Sequence, residues 1–424
     1  MNDRGSPPPR SSVVSWVLYD LANTIFALGV VGVYFSDWLL ANGLPDSALA
    51  AVQMAAAAVV IFVAPWAGAR SDVRGTRVPT LMATTLAAVA ATALIATGPP
   101  LLSLVLLWVA VVAVNTGSVV YDALLVDVST PARRGVVSGL GVGVGYLGSF
   151  VGLGIGFVTL DLLGLSYAAT FRTLAAGFLI FALPAFRYIE ERAALADQSL
   201  PGLRDVFGRI VRSWRLASNY EGVVRFLVGR FFYTDAINTL LAGFLALFVI
   251  DELGLERRFF TALMAVAIGA AVIGGLASGP LVARLGALRV LRWVLLVWIL
   301  AMASGIAAAM TGETQLAWVI GPLGGIALGA TWTADRVVMT RISPPRHLGE
   351  FYGLYATVGR FATVAGPLAW AVVVDLANLG RTAALGALMA FIAVGWWVLS
   401  GVDDQERVWS PDDQLSGSPE SPLR

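Results

Sequence analysis

Long apolar runs separated by short charged or Gly/Pro-rich breaks dominate the chain. The breaks leave twelve stretches near 11–36, 48–68, 78–97, 101–128, 136–163, 167–188, 224–250, 259–283, 289–310, 315–341, 350–375 and 381–401. Each is close to the ~20 residues with which a helix crosses a hydrocarbon core. Together they leave no room for a folded domain outside the membrane. The pattern predicts an all-α integral membrane protein with twelve transmembrane helices. The longest polar segment, 189–221, lies between the sixth and seventh stretches. There Leu203, Val206, Phe207, Ile210 and Trp214 recur at helical spacing, while Arg204, Arg209, Arg212 and Arg215 fill other faces. This predicts an amphipathic surface helix whose arginines are drawn to anionic headgroups. Residues 403–424 are acidic and Ser/Pro-rich and read as a disordered tail.

Composition narrows the class. Of 424 residues 58% are hydrophobic and 13% charged, about half the charge of a soluble domain, so composition comes close to excluding a water-soluble enzyme. All 28 basic residues are arginine, so the chain has no lysine for a nucleotide-binding Gly-Lys-Ser/Thr loop and ATP-driven transport by this chain alone is disfavoured. There is no cysteine and a single histidine, His347, in a proline-flanked loop; neither a metal centre nor any cofactor is expected. A net charge of +1 with dispersed arginines argues against a nucleic-acid partner. Arg4, Arg10, Arg70, Arg74, Arg77, Arg133, Arg134, Arg284, Arg289, Arg341 and Arg346 fall on one side of the predicted topology, against Arg257, Arg258 and Arg381 on the other. The bias places both termini in the cytosol of a cell-membrane protein, with an uncleaved first helix.

The chain repeats itself. Asp20, Asn23 and Thr24 recur as Asp235, Asn238 and Thr239, and Arg10 as Arg225, all 215 residues apart. Asp122 and Pro131 recur as Asp335 and Pro344; Gly135, Gly139, Leu140 and Gly145 as Gly349, Gly353, Leu354 and Gly359; Gly68 and Gly75 as Gly279 and Gly286. The separation covers an even number of spans, so the halves share one topology. Two parallel six-helix repeats are a carrier architecture. The predicted organisation is a half over 1–188, a linker over 189–221, a second half over 222–402 and a tail over 403–424.

The loop Gly68-Ala-Arg-Ser-Asp72-Val-Arg-Gly75-Thr-Arg77 resembles the loop motif of the major facilitator superfamily, with Val73 and Thr76 where a basic residue is usual. In that family the aspartate and basic residues lock neighbouring cytosolic helix ends. Trp16-Val-Leu-Tyr19-Asp20-Leu-Ala22-Asn23-Thr24 resembles the first-helix signature of its vacuole-effluxer-like branch. So do Tyr121 to Asp127 running into Ser138 to Gly148, and Asp335-Arg336 running through Pro344-Pro345 and Gly353-Leu-Tyr355 to Gly366-Pro367. The resemblance implies the major facilitator fold and a relative that exports amino acids from the vacuole.

Charges inside lipid are costly and mark functional positions. Asp20 and Asp235 lie ten residues beyond Arg10 and Arg225, about 15 Å deep at 1.5 Å per residue and close to the midplane, where such carriers bind. The i, i+3, i+4 spacing gives each helix a polar stripe: Asp20, Asn23, Thr24 and Asp235, Asn238, Thr239. Asn115, Ser118 and Asp122 share a face, and Thr331 lies one turn from Asp335. Five carboxylates (Asp20, Asp122, Asp127, Asp235, Asp335) stand against four arginines within spans (Arg172, Arg230, Arg336, Arg360), leaving one carboxylate for a proton. The expected substrate and proton site is Asp20, Asn23, Thr24, Asp235, Asn238, Thr239, Arg230, Arg360 and Asn115. The aspartates equally suit interhelical bonds or a pair with Arg230, and Arg360 suits a substrate carboxylate or an ion pair. The expected gating residues are Gly68, Asp72, Gly75, Arg77, Asp122, Asp127, Asp335 and Arg336. The reading is a monomeric secondary carrier that moves a small polar solute, an exported amino acid, by proton-coupled alternating access. A multidrug, sugar or other metabolite exporter of the same fold is the alternative. A polytopic membrane enzyme lacks a loop with clustered catalytic residues, and a passive channel fits the two-half repeat poorly.

Overall fold

The computed structural model describes residues 8–130, 134–191, 203–344 and 347–403, without the side chains of 69, 72, 73, 134–136, 139, 142, 203–207, 209 and 349. The predicted tail beyond Asp403, part of the linker and the Asp72 carboxylate lie outside the described residues. Among these, twelve helices are long and apolar enough to cross a membrane: Arg10–Ala41, Asp46–Gly68, Arg77–Leu94, Pro100–Leu124, Gly143–Leu162, Tyr167–Tyr188, Val223–Glu252, Arg257–Leu285, Ala287–Thr311, Thr314–Ile342, Glu350–Leu376 and Gly380–Leu399. They are spans one to twelve below. No strand forms among the described residues. Hydrocarbon offers backbone groups no partner, so the spans satisfy theirs chiefly through helix formation. A further helix, Leu203–Ala217, occupies the amphipathic linker as its spacing predicts.

Duplication extends to the irregularities of the backbone. Span one is α-helical over Arg10–Thr24 and π-helical over Ile25–Tyr34. Span seven is α-helical over Val223–Thr239 and π-helical over Leu240–Phe244. Each change comes immediately after the polar stripe, and the two changes keep the stripe's own separation of 215 residues. Spans five and eleven likewise close on π turns, Phe157–Leu162 and Val372–Leu376. Such turns are poorer helix geometry and concentrate at functional sites. Span seven also bends at Gly243, whose φ of +104° favours glycine. A Cβ at Gly243 would strike Ser36 and Val31 of span one, so the bend lets the two helices cross.

Compactness follows a different line from sequence repetition. One compact unit gathers the described residues of Met1–Val206, Thr239–Ile268 and Pro367–Ala384; the other gathers those of Phe207–Asn238, Gly269–Gly366 and Leu385–Arg424. The first unit thus holds the first six spans together with parts of spans seven, eight, eleven and twelve, those flanking the seven–eight and eleven–twelve loops. Within it, span five presents a glycine repeat to span one. A Cβ would meet the Trp16 ring from Gly141, the Asp20 carboxylate from Gly145, Thr24 from Gly148, the Ile25 carbonyl from Gly152 and the Tyr34 ring from Gly156. The repeat therefore serves close packing of two helices within one unit. The sequence alone leaves that reading level with a sliding seam.

Candidate functional site

The polar stripe of span one lies against these glycines. Asp20, Asn23 and Thr24 are half-buried. The Thr24 hydroxyl donates to the Gly145 carbonyl. Trp16 stacks on Tyr121 of span four at 4.6 Å between centroids and 9° between planes, and its Nε1 donates to the Tyr121 carbonyl at 3.1 Å. This holds Tyr121 beside Asp20. The buried Oδ1 of Asn23 has no hydrogen-bond partner, and the Tyr121 hydroxyl lies toward the Asp20 carboxylate. A carboxylate, an amide oxygen and a phenol give a surface richer in acceptors than donors, which suits an ammonium group or a proton.

The stripe of span seven is occupied differently. Span eleven is interrupted after Phe361 and resumes as Ala365–Ala371. Fully buried Asp235 caps the resumed helix, its Oδ2 accepting from the Ala365 amide at 2.9 Å and its Oδ1 from the Gly366 amide at 3.0 Å. Asn238 donates from Nδ2 to the Ala362 carbonyl at 2.8 Å on the other side of the break. Both side chains thus satisfy backbone groups that the break exposes. Thr239 is buried beside them in sequence.

Arg230, expected at the substrate, closes instead on Asp335. Its Nε donates to Asp335 Oδ2 at 3.2 Å and its Nη1 to the Tyr355 carbonyl at 3.2 Å, with the guanidinium 3.6 Å from the Tyr355 ring centre. The Tyr355 hydroxyl donates to Asp335 Oδ1 at 2.9 Å. Arg230 is 5% exposed and Asp335 is 0%. The cluster joins spans seven, ten and eleven. The corresponding positions of the first half differ: Ser15 stands 215 residues before Arg230, and Asp122 is exposed. Arg336 is also exposed. Asn115 is exposed, with its Nδ2 donating back to the Val111 carbonyl at 2.9 Å. Arg360 is half-buried, its carbonyl accepting from the Thr363 hydroxyl.

Of the expected gating set, Arg77 and Asp127 meet. Nη1 of Arg77 lies 2.7 Å from Asp127 Oδ2. Glu191 accepts from the backbone amides of Arg77 and Val78 at 2.8 and 2.7 Å and so caps span three. Gly75 ends the preceding helix with a φ of +59°, the left-handed closing turn that glycine favours. A Cβ on Gly68 would come within 3.0 Å of Val119.

Sequence reasoning missed a second polar network, at the loops that follow odd-numbered spans. The balance of five carboxylates against four arginines is incomplete, because it omits Asp161 and Asp375 within the fifth and eleventh stretches and because span one reaches Ala41 and carries Asp37 within it. Arg257 pairs with Asp37 at 2.8 Å and Asp161 at 2.9 Å, and Tyr167 donates to Asp37 at 2.7 Å. Arg381 grips fully buried Asp46 through Nε at 2.8 Å and Nη2 at 2.7 Å and also pairs with Asp251; Trp370 donates to Asp46 at 2.8 Å. Glu252 accepts from the amides of Arg381 and Thr382. These bonds tie spans one, two and five to spans seven, eight, eleven and twelve within the first unit. The available signal was charge balance: in the poorly basic loops, each of Arg257 and Arg381 has acids at the ends of neighbouring spans.

A testable consequence follows for Arg381. Charge-assisted bonds to a buried carboxylate contribute about 1.5–3 kcal/mol, so Arg381→Gln weakens the closed arrangement of this network by at least roughly a factor of ten. The chain lacks cysteine, so Ser47→Cys, at the residue whose amide donates to Asp375, is a single reporter. Maleimide labelling at that position is expected to rise about tenfold when Arg381→Gln is added; unchanged labelling contradicts a closing role.

Comparison with known proteins agrees with this architecture. The Major Facilitator Superfamily profile matches residues 17–367 and 231–415. The chain is 24% identical over 412 residues to the uncharacterized MFS-type transporter YxiO of Bacillus subtilis (strain 168), covering 92% of this chain and 94% of that protein. It is 23% identical over 293 residues to Autophagy-related protein 22 of Neurospora crassa, covering 62% of this chain and 39% of that protein. Among solved structures, the nucleoside transporter NupG superposes with a TM-score of 0.71 at 12% identity, over 92% of this chain and 98% of that one. The D-xylose-proton symporter gives 0.65 at 12% identity, over 93% and 97%. These structural likenesses concern the fold. With the duplicated twelve-span architecture, the profile match places this chain in the major facilitator superfamily, as a multi-pass secondary carrier.

Proposed function

We propose that this carrier exports a small polar solute bearing an ammonium group, amino acids being the class in view, by proton-coupled alternating access. In this reading it acts as a monomer in the cell membrane with both termini cytoplasmic. Asp20 is the carboxylate that exchanges between proton and substrate amine. The observation that carries the reading is the contrast in burial among the aspartates: Asp235 and Asp335 are fully buried and Asp127 nearly so, whereas Asp20 is half-buried. Asp235 is engaged by two backbone amides, Asp335 by Arg230 and Tyr355, and Asp127 by Arg77. Asp20 lies beside the Tyr121 hydroxyl, and about one turn along from Asp20 the buried Oδ1 of Asn23 has no hydrogen-bond partner. A carboxylate deep in a span is retained where it meets a proton, a cation or water. The amino-acid class is supported by the span-one signature and the distant similarity to Autophagy-related protein 22. Proton coupling is in keeping with the name of the D-xylose-proton symporter that shares the fold. Arg77 and Asp127 serve the gate in this reading, and Asn23 and Thr24 orient the substrate with Asp20.

The test is uptake by proteoliposomes offered a panel of amino acids with and without a pH gradient. The wild type accumulates at least one of them only when the gradient is imposed, and Asp20→Asn lowers that accumulation at least about tenfold, the effect of one charge-assisted bond. An Asp20→Asn carrier that still concentrates substrate against a gradient rules out the proton role.

A further inference from the structure

The second unit contains a cleft of about 470 Å³ where span nine begins and span twelve ends, lined by Leu288, Arg289, Arg292, Trp293, Trp396 and Asp403 among others. The size lies within the roughly 300–1,000 Å³ typical of ligand pockets. Arg289 and Arg292 lie in the first turns of Ala287–Thr311, and Trp396 lies in the last turn of Gly380–Leu399. Both helix ends reach the same edge of the spans, where a bilayer places its phosphates. Arg292 stacks on Trp396, with its Cζ 4.8 Å from the ring centre. Two buried donors there have no hydrogen-bond partner, Nε of Arg292 and Nε1 of Trp396. Unsatisfied buried donors are costly, and two on stacked side chains point to an acceptor with more than one oxygen. Two arginines against the single carboxylate of Asp403 leave the cleft positive.

The surroundings identify the kind of anion. Trp293 is 66% exposed, Leu296 is 44% and Trp397 is 66%, giving an apolar seat beside the cationic one. A soluble phosphate has no use for that seat, whereas a lipid fills both parts. Tryptophan and arginine are also the side chains that favour the depth of headgroups.

We propose that this cleft binds an anionic phospholipid, its phosphodiester accepting from Arg292 and Trp396 and its acyl chains lying along Trp293 and Leu296. The site is separate from the substrate site proposed above, and its test does not depend on transport. Purified full-length carrier in mild detergent is titrated with phosphatidylglycerol and, separately, with phosphatidylcholine, and bound lipid is counted by native mass spectrometry. Removing one arginine near an anionic surface is expected to weaken phosphatidylglycerol binding about fivefold. Arg292→Gln is the first variant. Trp396→Phe is the second; it removes the N–H donor and keeps the stacked ring, so its loss of binding is not a loss of folding. Phosphatidylcholine binding is unchanged in both variants, and millimolar inorganic phosphate does not displace phosphatidylglycerol. Equal phosphatidylglycerol affinity in the wild type and both variants overturns the site. Displacement by inorganic phosphate overturns the lipid assignment in favour of a soluble anion.

Discussion

Arg230→Ala is expected to destabilise the carrier by about 3–5 kcal/mol, the cost of breaking a buried ion pair from one side. The substitution leaves Asp335, fully buried, with the Tyr355 hydroxyl at 2.9 Å and the Tyr233 hydroxyl at 3.5 Å as donors. It also removes the guanidinium stacked on Tyr355 and its bond to the Tyr355 carbonyl, so packing among spans seven, ten and eleven loosens with the charge. In detergent the melting temperature of this 424-residue chain falls by roughly 3–6 °C. Neutralising the partner separates charge from packing. The double variant Arg230→Ala with Asp335→Asn keeps an acceptor for Tyr355 but no buried charge, and recovers about half of the loss or more. A double-mutant cycle measures this coupling. An Arg230→Ala carrier that melts with the wild type, or a double variant no better than the single, contradicts the pair's role in holding these spans.

The twelve spans were legible in sequence because hydrocarbon sets helix length and excludes other backbone arrangements. The twofold repetition was legible for a related reason. Asp20, Asn23 and Thr24 keep their spacing to Asp235, Asn238 and Thr239, and even the backbone switches from α to π geometry at the same register. The different uses of the two stripes were hidden, since identical residues face an unbroken helix in one half and a broken one in the other. Pro367 is a local breaker at the interruption of span eleven, but Pro65, Pro184, Pro280 and Pro322 lie inside continuous helices, so the sequence did not single it out; Asp235 and Asn238, far away in sequence, satisfy the backbone groups at the break. The Arg381 and Arg257 network was hidden because hydropathy trims helix ends at the first charge. Asp37 and Asp251 were thus assigned to loops, although paired acids remain helical when a partner span supplies the arginine.

Replacing the two repeated aspartates in turn is expected to give opposite defects. Asp235→Ala leaves the Ala365 and Gly366 amides without their acceptor inside the packed second unit. Each orphaned buried donor costs about 1–3 kcal/mol, so the predicted loss is roughly 2–6 kcal/mol, with transport falling in proportion to folded protein. Asp235→Asn lies between, because one amide oxygen accepts from one of the two N–H groups while its own NH₂ confronts the other. Asp20→Ala, by contrast, removes a half-buried carboxylate that faces the span-five glycine surface. Its melting temperature falls less than that of Asp235→Ala, because a half-buried carboxylate leaves no pair of buried amides orphaned, while gradient-driven uptake by the folded carrier is lost. The discriminating quantity is transport per folded molecule, from proteoliposome uptake normalised to monodisperse protein. If Asp235→Ala melts normally and Asp20→Ala does not, the assignments of structural cap and exchanging carboxylate are reversed.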